Sequence, residues 1–311
     1  MIKVSVIIPS YKSERYLAQA IESALSQQSQ DVSIECIVVV DGSPENDYLI
    51  AEKYIPQITL IHQENQGVSS ARNNGFNAST GDFICFLDAD DILEPDAISQ
   101  RLAVICQNEK IVMVHGPATH VDPQNQPIDF SWKWPVDEDA SGDLLPKLFE
   151  FGFIIFSTML IRRKSFIEAG GFDEGYKLHA SEDLILWLRL AMCGPIGYVP
   201  QKTLRYRVLP NSASRNTKIM ELGEFYARLR FVSNRPTAVH RLGYKNVKRK
   251  LISQAVISGA RLEKSNYLKE ALMMYIAALG KYPLSLVLYK PLVRSLLRLI
   301  VQKIKSRCFS N

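Results

Sequence analysis

Short apolar runs alternate with amphipathic stretches along the first hundred residues. Apolar runs of strand length occur at Ile2–Ile8, Ile34–Val40, Ile58–His62 and Phe83–Leu87. Helical periodicity lies between them, most clearly at Val68–Ala78. This alternation predicts βαβ units, and therefore an α/β fold with a doubly wound sheet that carries helices on both faces.

The fourth apolar run ends abruptly in three carboxylates, Asp88, Asp90 and Asp91. An extended backbone would place Asp88 and Asp90 on the same side of the chain at the carboxyl edge of the sheet, where open α/β sheets bind ligands. Two neighbouring carboxylates repel each other unless a cation compensates, and oxygen ligands suit Mg²⁺ or Mn²⁺. The run therefore predicts a metal site, although a simple Asp-rich turn explains the triplet equally well.

Two further acidic positions attract attention. The second strand ends at Asp41, followed by Gly42 and Ser43, which repeats the pattern at Asp88. Ser181 resembles the N-cap of a helix whose first turn contains Glu182 and Asp183. Capping and the helix dipole explain both acids, but a first-turn carboxylate that faces a cleft also stays ionised, as a general base requires.

The C-terminal third is basic and helical. Residues 1–200 contain 14 Lys or Arg and 28 Asp or Glu, a net charge of −14, whereas residues 201–311 contain 23 and 4, a net charge of +19. We predict helices at about 217–233, 237–261, 265–279 and 284–305. The last helix carries Lys290, Arg294 and Arg298 four residues apart, too charged to span a bilayer. It either lies on an anionic membrane surface or packs on the rest of the protein.

Composition excludes several classes of protein. The 311 residues are 47% apolar, which is enough for a large core. The five cysteines lack metal-site spacing, and no secretory signal begins the chain, so we expect a cytoplasmic protein, or one that is peripheral at the inner face of the cell membrane. The glycine patterns of dinucleotide and P-loop sites are missing, and no nucleic-acid motif occurs, so no nucleic-acid partner is expected.

Taken together, these stretches resemble the inverting family 2 glycosyltransferases of GT-A fold. The resemblance covers residues 2 to about 207, and the last hundred residues carry no family motif that we can name. It rests on five short motifs in the family's order, which are Val4–Tyr11, Val39–Ser43, Gln66-Gly67 with Ala71-Arg72-Asn73, Phe86–Asp91, and Gly170–Asp173 with Glu182-Asp183.

The resemblance implies a GT-A catalytic domain, a doubly wound mixed sheet, over residues 1–215. Its donor-binding half would be about 1–95 and its acceptor half about 96–215, followed by a basic helical region at 216–311. The donor would be a nucleotide-diphosphate sugar, with UDP preferred, and the acceptor a glycan or lipid-linked hydroxyl in polysaccharide or cell-surface glycan synthesis.

The resemblance also implies roles for individual residues. Pro9, Tyr11, Asp41 and Arg72 would hold the base and ribose, Asp88 would contact the ribose, and Asp90, with Asp88, would hold Mn²⁺ or Mg²⁺ in the DXD motif. Asp183 would be the catalytic base, with Glu182 as the alternative.

Four further interpretations remain open from the sequence. Arg207 or Arg215 could reach the diphosphate from a polar segment at 205–215, and the loop that contains Trp132 and Trp134 could face the acceptor. A nucleotidyltransferase would share the sheet and the metal-binding Asp, but Pro9-Ser10-Tyr11 stands where its glycine-rich loop would be. An inert nucleotide-binding scaffold that recruits polyanions is the non-enzymatic alternative.

Overall fold

The computed structural model describes residues 1–130, 140–175, 181–210 and 212–308. Trp132 and Trp134, named above, lie outside this part of the chain. The protein divides into two compact units. The first unit is Met1–Gly175 with Leu186–Leu209, and the second is Tyr176–Ile185 with Pro210–Asn311.

The described residues form ten strands. They are β1 Ile2–Ser10, β2 Val32–Asp41, β3 Ile58–Gln63, β4 Phe83–Phe86, β5 Ile92–Leu93, β6 Met113–His115, β7 Thr119–Val121, β8 Leu160–Arg162, β9 Ile196–Tyr198 and β10 Leu204–Arg207.

Twelve α-helices occur in the same described residues. They are α1 Leu17–Leu25, α2 Asp47–Glu52, α3 Val68–Ala78, α4 Ala97–Ile105, α5 Leu145–Glu150, α6 Arg163–Ala169, α7 Glu182–Cys193, α8 Thr217–Asn234, α9 Pro236–Leu242, α10 Tyr244–Lys264, α11 Leu268–Lys281 and α12 Leu286–Cys308. Short 3₁₀ turns lie at Phe156–Thr158 and Ala213–Arg215.

Seven strands of the first unit form one sheet in the order β3-β2-β1-β4-β8-β6-β9. The four strands from β3 to β4 are parallel, β8 runs antiparallel to both of its neighbours, and β6 and β9 are parallel. Strands β1, β2 and β4 are buried along most of their length because parallel strands are covered by helices on both faces. The sheet is therefore mixed, which confirms the predicted α/β fold class.

Close packing of α3 on this sheet depends on Gly75. A Cβ atom at this position would overlap the side chain of Ile7 and lie 3.2 Å from Val39 Cγ2. Glycine costs helix stability in isolation, but here it lets the helix approach β1 and β2 closely. The position of Arg72, one turn earlier on the same helix, follows from this contact.

A small second sheet has the order β5-β10-β7. Strand β10 pairs antiparallel with β5 and parallel with β7, so it connects the segment after Asp91 to the segment before Asp122. The sequence pattern predicts that residues 205–207 lie in a polar loop segment. That interpretation is wrong, because Leu204–Arg207 is a strand and Arg207 is only 2% exposed.

The helices of the second unit pack through α10, which contacts α8, α11 and α12. Glu263 on α10 accepts hydrogen bonds from Tyr275 Oη on α11 (3.0 Å) and from Ser295 Oγ on α12 (2.7 Å). Arg294 and Arg298 of α12 also bind this carboxylate, at 3.0 and 3.3 Å. One buried acid therefore joins three helices.

Two predicted features of this region change. The helix expected at 237–261 is divided into α9 and α10 by Gly243, whose φ of 81° ends a helix. Arg294 and Arg298, two of the three basic residues spaced four apart, both bind Glu263 of α10. None of the helices in the described residues is both long and apolar enough to span a bilayer.

Candidate functional site

Three parallel strands of the first unit end at one edge of the main sheet. Pro9 on β1 is level with Val39 on β2, and Ile7 on β1 is level with Phe86 on β4. The residues that follow these strand ends, Tyr11, Asp41 and Asp88, therefore emerge at the same edge. The sheet thus gathers three of the predicted donor-binding residues where α/β proteins place their ligands.

The acidic triplet forms a turn rather than a continued strand. Strand β4 ends at Phe86, and the amide of Asp91 donates to the carbonyl of Asp88 at 3.0 Å. The argument that an extended backbone aligns Asp88 and Asp90 is therefore wrong. The amide of Asp88 donates to Ser157 Oγ at 3.1 Å, which fixes the start of the turn from the neighbouring 3₁₀ segment.

Asp88 is held by Arg72 from α3. Arg72 Nη2 lies 2.8 Å from Asp88 Oδ1, and the arginine side chain is 5% exposed whereas that of Asp88 is 32% exposed. The guanidinium lies 3.9 Å from the ring centroid of Phe156 and 5.2 Å from that of Phe172. Stacking and burial fix the guanidinium plane, so Arg72 orients a carboxylate that still reaches solvent.

Burial raises the pKa of Asp90 to about 6, and the negative charge of Asp88 adds to this effect. Burial and the charges of Asp90 and Asp88 raise the pKa of Asp91 well above its ordinary value. Asp91 is buried, and its Oδ1 accepts from the amide of Arg207 at 3.0 Å. The turn therefore concentrates negative charge that a cation would stabilise.

Arg207 braces the turn from β10. Its Nε donates to the carbonyl of Asp90 at 2.8 Å, and its Nη1 donates to the carbonyls of Asp122 and Pro123 at 3.3 and 3.2 Å. Its Nη2 donates to Gln19 Oε1 at 2.8 Å. Because these contacts occupy the guanidinium inside the first unit, Arg207 positions the acidic turn, a role that the sequence analysis missed.

Asp41 organises the start of α3. Its Oδ1 accepts from Gln63 Nε2 and the amide of Gln66, both at 2.8 Å, and its Oδ2 accepts from the amide of Gly67 at 2.9 Å. The side chain is buried. These bonds hold the backbone where Gly67 takes a φ of 90°, a conformation that favours glycine, immediately before the helix that carries Arg72.

The loop after β1 is anchored by a second buried acid. Asp47 accepts from Ser10 Oγ at 2.7 Å and from the amide of Ser13 at 3.1 Å. Pro9 is buried, whereas Tyr11 is 44% exposed at the edge of the sheet. The anchored loop therefore presents an exposed aromatic ring at this edge of the sheet, as a base-stacking residue would need.

Glu182 and Asp183 occupy the first turn of α7, in the second unit. Both acids are half-buried, and Asp183 Oδ1 accepts from the amide of Leu184 at 2.6 Å. The predicted helix and its acidic first turn are thus present. The N-terminus of the helix places partial positive charge beside both carboxylates.

The acidic turn can be tested for its fit to a divalent metal. In the part of the chain that the structure describes, no three His, Cys, Asp or Glu side chains cluster as a complete ligand set. Mg²⁺ and Mn²⁺ sites in nucleotide enzymes commonly use one or two carboxylates, with phosphate oxygens and water as the remaining ligands. The partly exposed carboxylate of Asp88 and the carboxyl group of Asp90, whose pKa is raised, fit such a partial set of ligands.

Comparisons with known proteins agree with this architecture. The family model described as "Glycosyl transferase family 2" matches residues 5–170. The chain is 30% identical over 211 residues to a putative glycosyltransferase, EpsH, of Bacillus subtilis (strain 168). The aligned region covers 66% of this chain and 60% of EpsH. The chain is 28% identical over 222 residues to a chondroitin synthase of Escherichia coli, covering 70% of this chain and 30% of that protein. The chain thus spans less than two thirds of these two relatives.

Solved structures show the same fold. TarS of S. aureus in complex with UDP-GlcNAc has a TM-score of 0.57 and 17% identity, covering 94% of this chain and 89% of that one. The mannosyltransferase PcManGT of Pyrobaculum calidifontis, in complex with GDP-Man and Mn²⁺, has a TM-score of 0.58 and 14% identity, covering 95% and 86%. The structural likeness confirms the GT-A fold, and the match over residues 5–170 places this chain in glycosyl transferase family 2.

Proposed function

We propose that this protein is a metal-dependent inverting glycosyltransferase. It would transfer a sugar from a nucleotide-diphosphate donor, UDP-linked by first preference, to a hydroxyl of a glycan or lipid-linked acceptor. The observation that carries the proposal is the acidic turn Asp88–Asp91 at the sheet edge, where Arg72 binds the carboxylate of Asp88 and Arg207 binds the backbone carbonyl of Asp90. Membership of the family argues against a nucleotidyltransferase or an inert scaffold.

The nucleotide would lie along the ends of β1, β2 and β4. Tyr11 would stack on the base, with Pro9 and Asp41 shaping its pocket. Asp88 would contact the ribose, and Arg72 would act through Asp88, since its guanidinium already binds that carboxylate. Asp90, together with Asp88, would hold Mn²⁺ or Mg²⁺, which supplies charge neutralisation for the departing diphosphate.

The acceptor hydroxyl needs a base, because it is a poor nucleophile at neutral pH. We propose Asp183 for this role, with Glu182 as the alternative, since both are first-turn acids of α7. Proton removal by a positioned carboxylate typically contributes ~10²–10⁴ to the rate. A single in-line displacement on the side of the sugar opposite the diphosphate inverts the anomeric configuration.

Names of relatives and structural neighbours support the substrate class. One neighbour binds UDP-GlcNAc, another binds GDP-Man with Mn²⁺, and a relative is a chondroitin synthase. These names favour a nucleotide-sugar donor, a divalent metal and a role in polysaccharide synthesis. UDP remains the first nucleotide to test, with GDP next.

The donor site is tested by calorimetric binding of UDP, dTDP, GDP, ADP and CDP, each with and without Mn²⁺. We expect one nucleotide to bind in a metal-dependent manner, and Asp90→Ala to lose the metal-dependent part of the affinity. Asp183→Asn should bind as the wild type does. No binding of any nucleotide by folded wild-type protein would overturn the proposal.

The base is tested separately by turnover. Donor hydrolysis or transfer to an acceptor panel should fall by about 10²-fold or more in Asp183→Asn, with nucleotide affinity unchanged. Glu182→Gln is the matched control, because it removes the neighbouring charge from the same helical turn. A loss of turnover in Glu182→Gln alone would transfer the role to Glu182.

A further inference from the structure

Helix α12 of the second unit has one face packed against the other helices. Leu288, Pro291 and Ser295 are buried, and their spacing places them on a single side of the helix. The contacts of α12 with α10 and α11, including the hydrogen bonds to Glu263, lie on this side. The opposite side is therefore turned away from the bundle.

That opposite side is apolar along about four turns. Leu286 is 81% exposed and Leu297 is 57% exposed, so this face is not covered by the rest of the protein. We call it the outer face of α12, and its exposed apolar members are Leu286, Tyr289, Val293, Leu296, Leu297, Ile300 and Val301. A continuous apolar face of this length on a folded protein marks an interaction surface.

Charge beside the outer face is of one sign. Residues 271–311 contain no Asp or Glu. Lys290 is exposed beside the apolar row, and Arg294 and Arg298 are 45% and 56% exposed although both bind Glu263. One carboxylate shared between two guanidinium groups leaves a surplus of positive charge. The partner of the outer face must therefore tolerate both apolar contact and a row of cations.

A basic groove adjoins the beginning of the outer face. It has a volume of about 530 Å³ and lies between α10 and the first turn of α12, with Val287 as part of its lining. Its apolar lining includes Ile252, Val256 and Ile257, and its cationic lining includes Lys245 and Lys248. The combination of apolar and cationic groups on the outer face thus continues onto a second helix.

We propose that the outer face of α12, with the adjoining groove, docks on the surface of an anionic lipid bilayer. The helix would lie in the interface, with its apolar row among the upper acyl chains and the lysine and arginine side chains extended to the headgroups. A second copy of this chain is disfavoured, because a symmetric contact would bring two cationic rows together with no acid on either helix. This inference does not depend on the proposed catalytic function.

Sedimentation with vesicles tests the surface directly. Full-length protein should bind vesicles of phosphatidylglycerol in phosphatidylcholine at low salt, bind them less at high salt, and bind pure phosphatidylcholine weakly. Val293→Glu combined with Ile300→Glu should lower the partition coefficient by tenfold or more. Leu49→Glu combined with Ile167→Glu is the matched control, since it adds the same two charges at apolar residues of α2 and α6 that are 55% and 60% exposed, and it should bind as the wild type does.

A second pair of substitutions separates charge from apolar contact. Lys245→Gln with Lys248→Gln should lower binding to anionic vesicles by about fivefold for each lysine removed. These side chains are exposed or half-exposed, so folding should be retained. Failure of the wild-type protein to bind anionic vesicles at low salt would overturn the proposal. A lipid-free dimer that Val293→Glu dissociates would also overturn it and assign the outer face to a second copy.

Discussion

The pair formed by Arg72 and Asp88 gives a test at the level of single residues. Arg72→Lys keeps the positive charge but loses the flat guanidinium that lies between Phe156 and Phe172. We expect metal-dependent nucleotide affinity to fall by about tenfold, because the charge-assisted hydrogen bond that orients Asp88 is worth ~1.5–3 kcal/mol. Calorimetric titration of the variant measures this loss.

The control for this test is the more exposed pair of Arg205 and Glu94, whose arginine side chain is 40% exposed. Arg205→Lys should change nucleotide affinity and stability little, because exposed ion pairs contribute ~0–1 kcal/mol. Equal losses in Arg72→Lys and Arg205→Lys would contradict a specific role for Arg72 at the acidic turn.

His115 predicts a pH dependence of stability. Burial lowers the pKa of His115 to about 4, while its Nε2 lies 2.8 Å from the carbonyl of Ala140. In the unfolded chain His115 takes up a proton as pH falls through 6.5, whereas in the folded chain it stays neutral until about pH 4. The free energy of unfolding therefore decreases as pH falls from 6.5 to about 4. The loss reaches ~3 kcal/mol at about 1.4 kcal/mol for each pH unit.

Chemical denaturation across this pH range measures the effect. His115→Gln keeps a hydrogen-bond donor for Ala140 but has no titratable group, so its stability should lack this part of the slope. An identical slope in wild type and variant would assign the acid sensitivity to other groups.

Sequence reasoning located most of the acidic site but not its supports. Asp41, Asp88 and Asp90 were identifiable because a carboxylate directly after an apolar strand is a strong local pattern. Arg207 was named only as a group that could reach the diphosphate. Its supporting role was not identifiable, because most of its partners are carbonyl oxygens of residues far away in the chain, and no local pattern encodes them. Ser157 was missed for the same reason.

Two glycines of the second unit give opposite expectations at the level of helices. A Cβ atom at Gly259 on α10 would overlap the ring of Tyr275, which is fully buried and cannot move aside. Gly259→Ala should therefore destabilise the protein by ~1–3 kcal/mol through overpacking. Gly280 on α11 has open space, so Gly280→Ala should stabilise by up to ~1 kcal/mol through helix propensity.

Urea denaturation of both alanine variants measures these changes in the free energy of unfolding. A shift of the same sign in both would contradict close packing of α10 and α11 at Gly259. The comparison isolates packing because the two substitutions are chemically identical and both lie in helices.

Glu263 makes the attachment of α12 dependent on one carboxylate. Glu263→Gln should destabilise α12 by about 2 kcal/mol, because the ion pairs with Arg294 and Arg298 are lost and the amide NH₂ cannot accept from either guanidinium. Hydrogen exchange of α12 amides reports the loss, and Glu270→Gln, which removes a more exposed pair with Lys218, should leave that exchange unchanged. Equal exchange in wild type and Glu263→Gln would contradict this attachment.

The same carboxylate responds to acid. Burial tends to raise the pKa of Glu263, but hydrogen bonds from Arg294, Ser295 and Tyr275 outweigh it and hold the pKa below the usual 4.5. The stabilisation is therefore present above pH 4.5 and is lost as pH falls below it. The Glu263→Gln difference should shrink in that range.

Elements were predictable where local pattern and tertiary packing agree. Helix α3 has the predicted bounds, and the parallel strands were found because a buried strand flanked by turn residues is unambiguous. The strands of the small sheet are two to four residues long, too short to show a period, and were missed. The break between α9 and α10 at Gly243 was not predicted, because a single glycine in a long amphipathic stretch does not reveal its φ.

The charge distribution of the whole chain predicts how salt affects the donor. Residues 1–200 carry a net charge of −14, which should repel a nucleoside diphosphate when no metal is present. Raising the ionic strength should therefore increase metal-free UDP affinity, because salt screens the repulsion. Calorimetry at low and high salt measures this, and a decrease would indicate that the basic C-terminal third attracts the diphosphate instead.

The hydrogen bonds of Arg207 determine which sequence changes the neighbouring loop tolerates during evolution. Three of its partners are carbonyl oxygens, at Asp90, Asp122 and Pro123, and every residue type supplies that group. The side chain at 123 can therefore be replaced without removing the bonds that support the acidic turn, whereas Asp122 Oδ1 accepts from the amides of Gln124 and Gln126 at 2.8 Å and shapes the loop. The loop can therefore diverge at position 123 while the support of the acidic turn is inherited intact, so a library randomised at 123 with Arg207 fixed should keep the geometry of Asp88–Asp91.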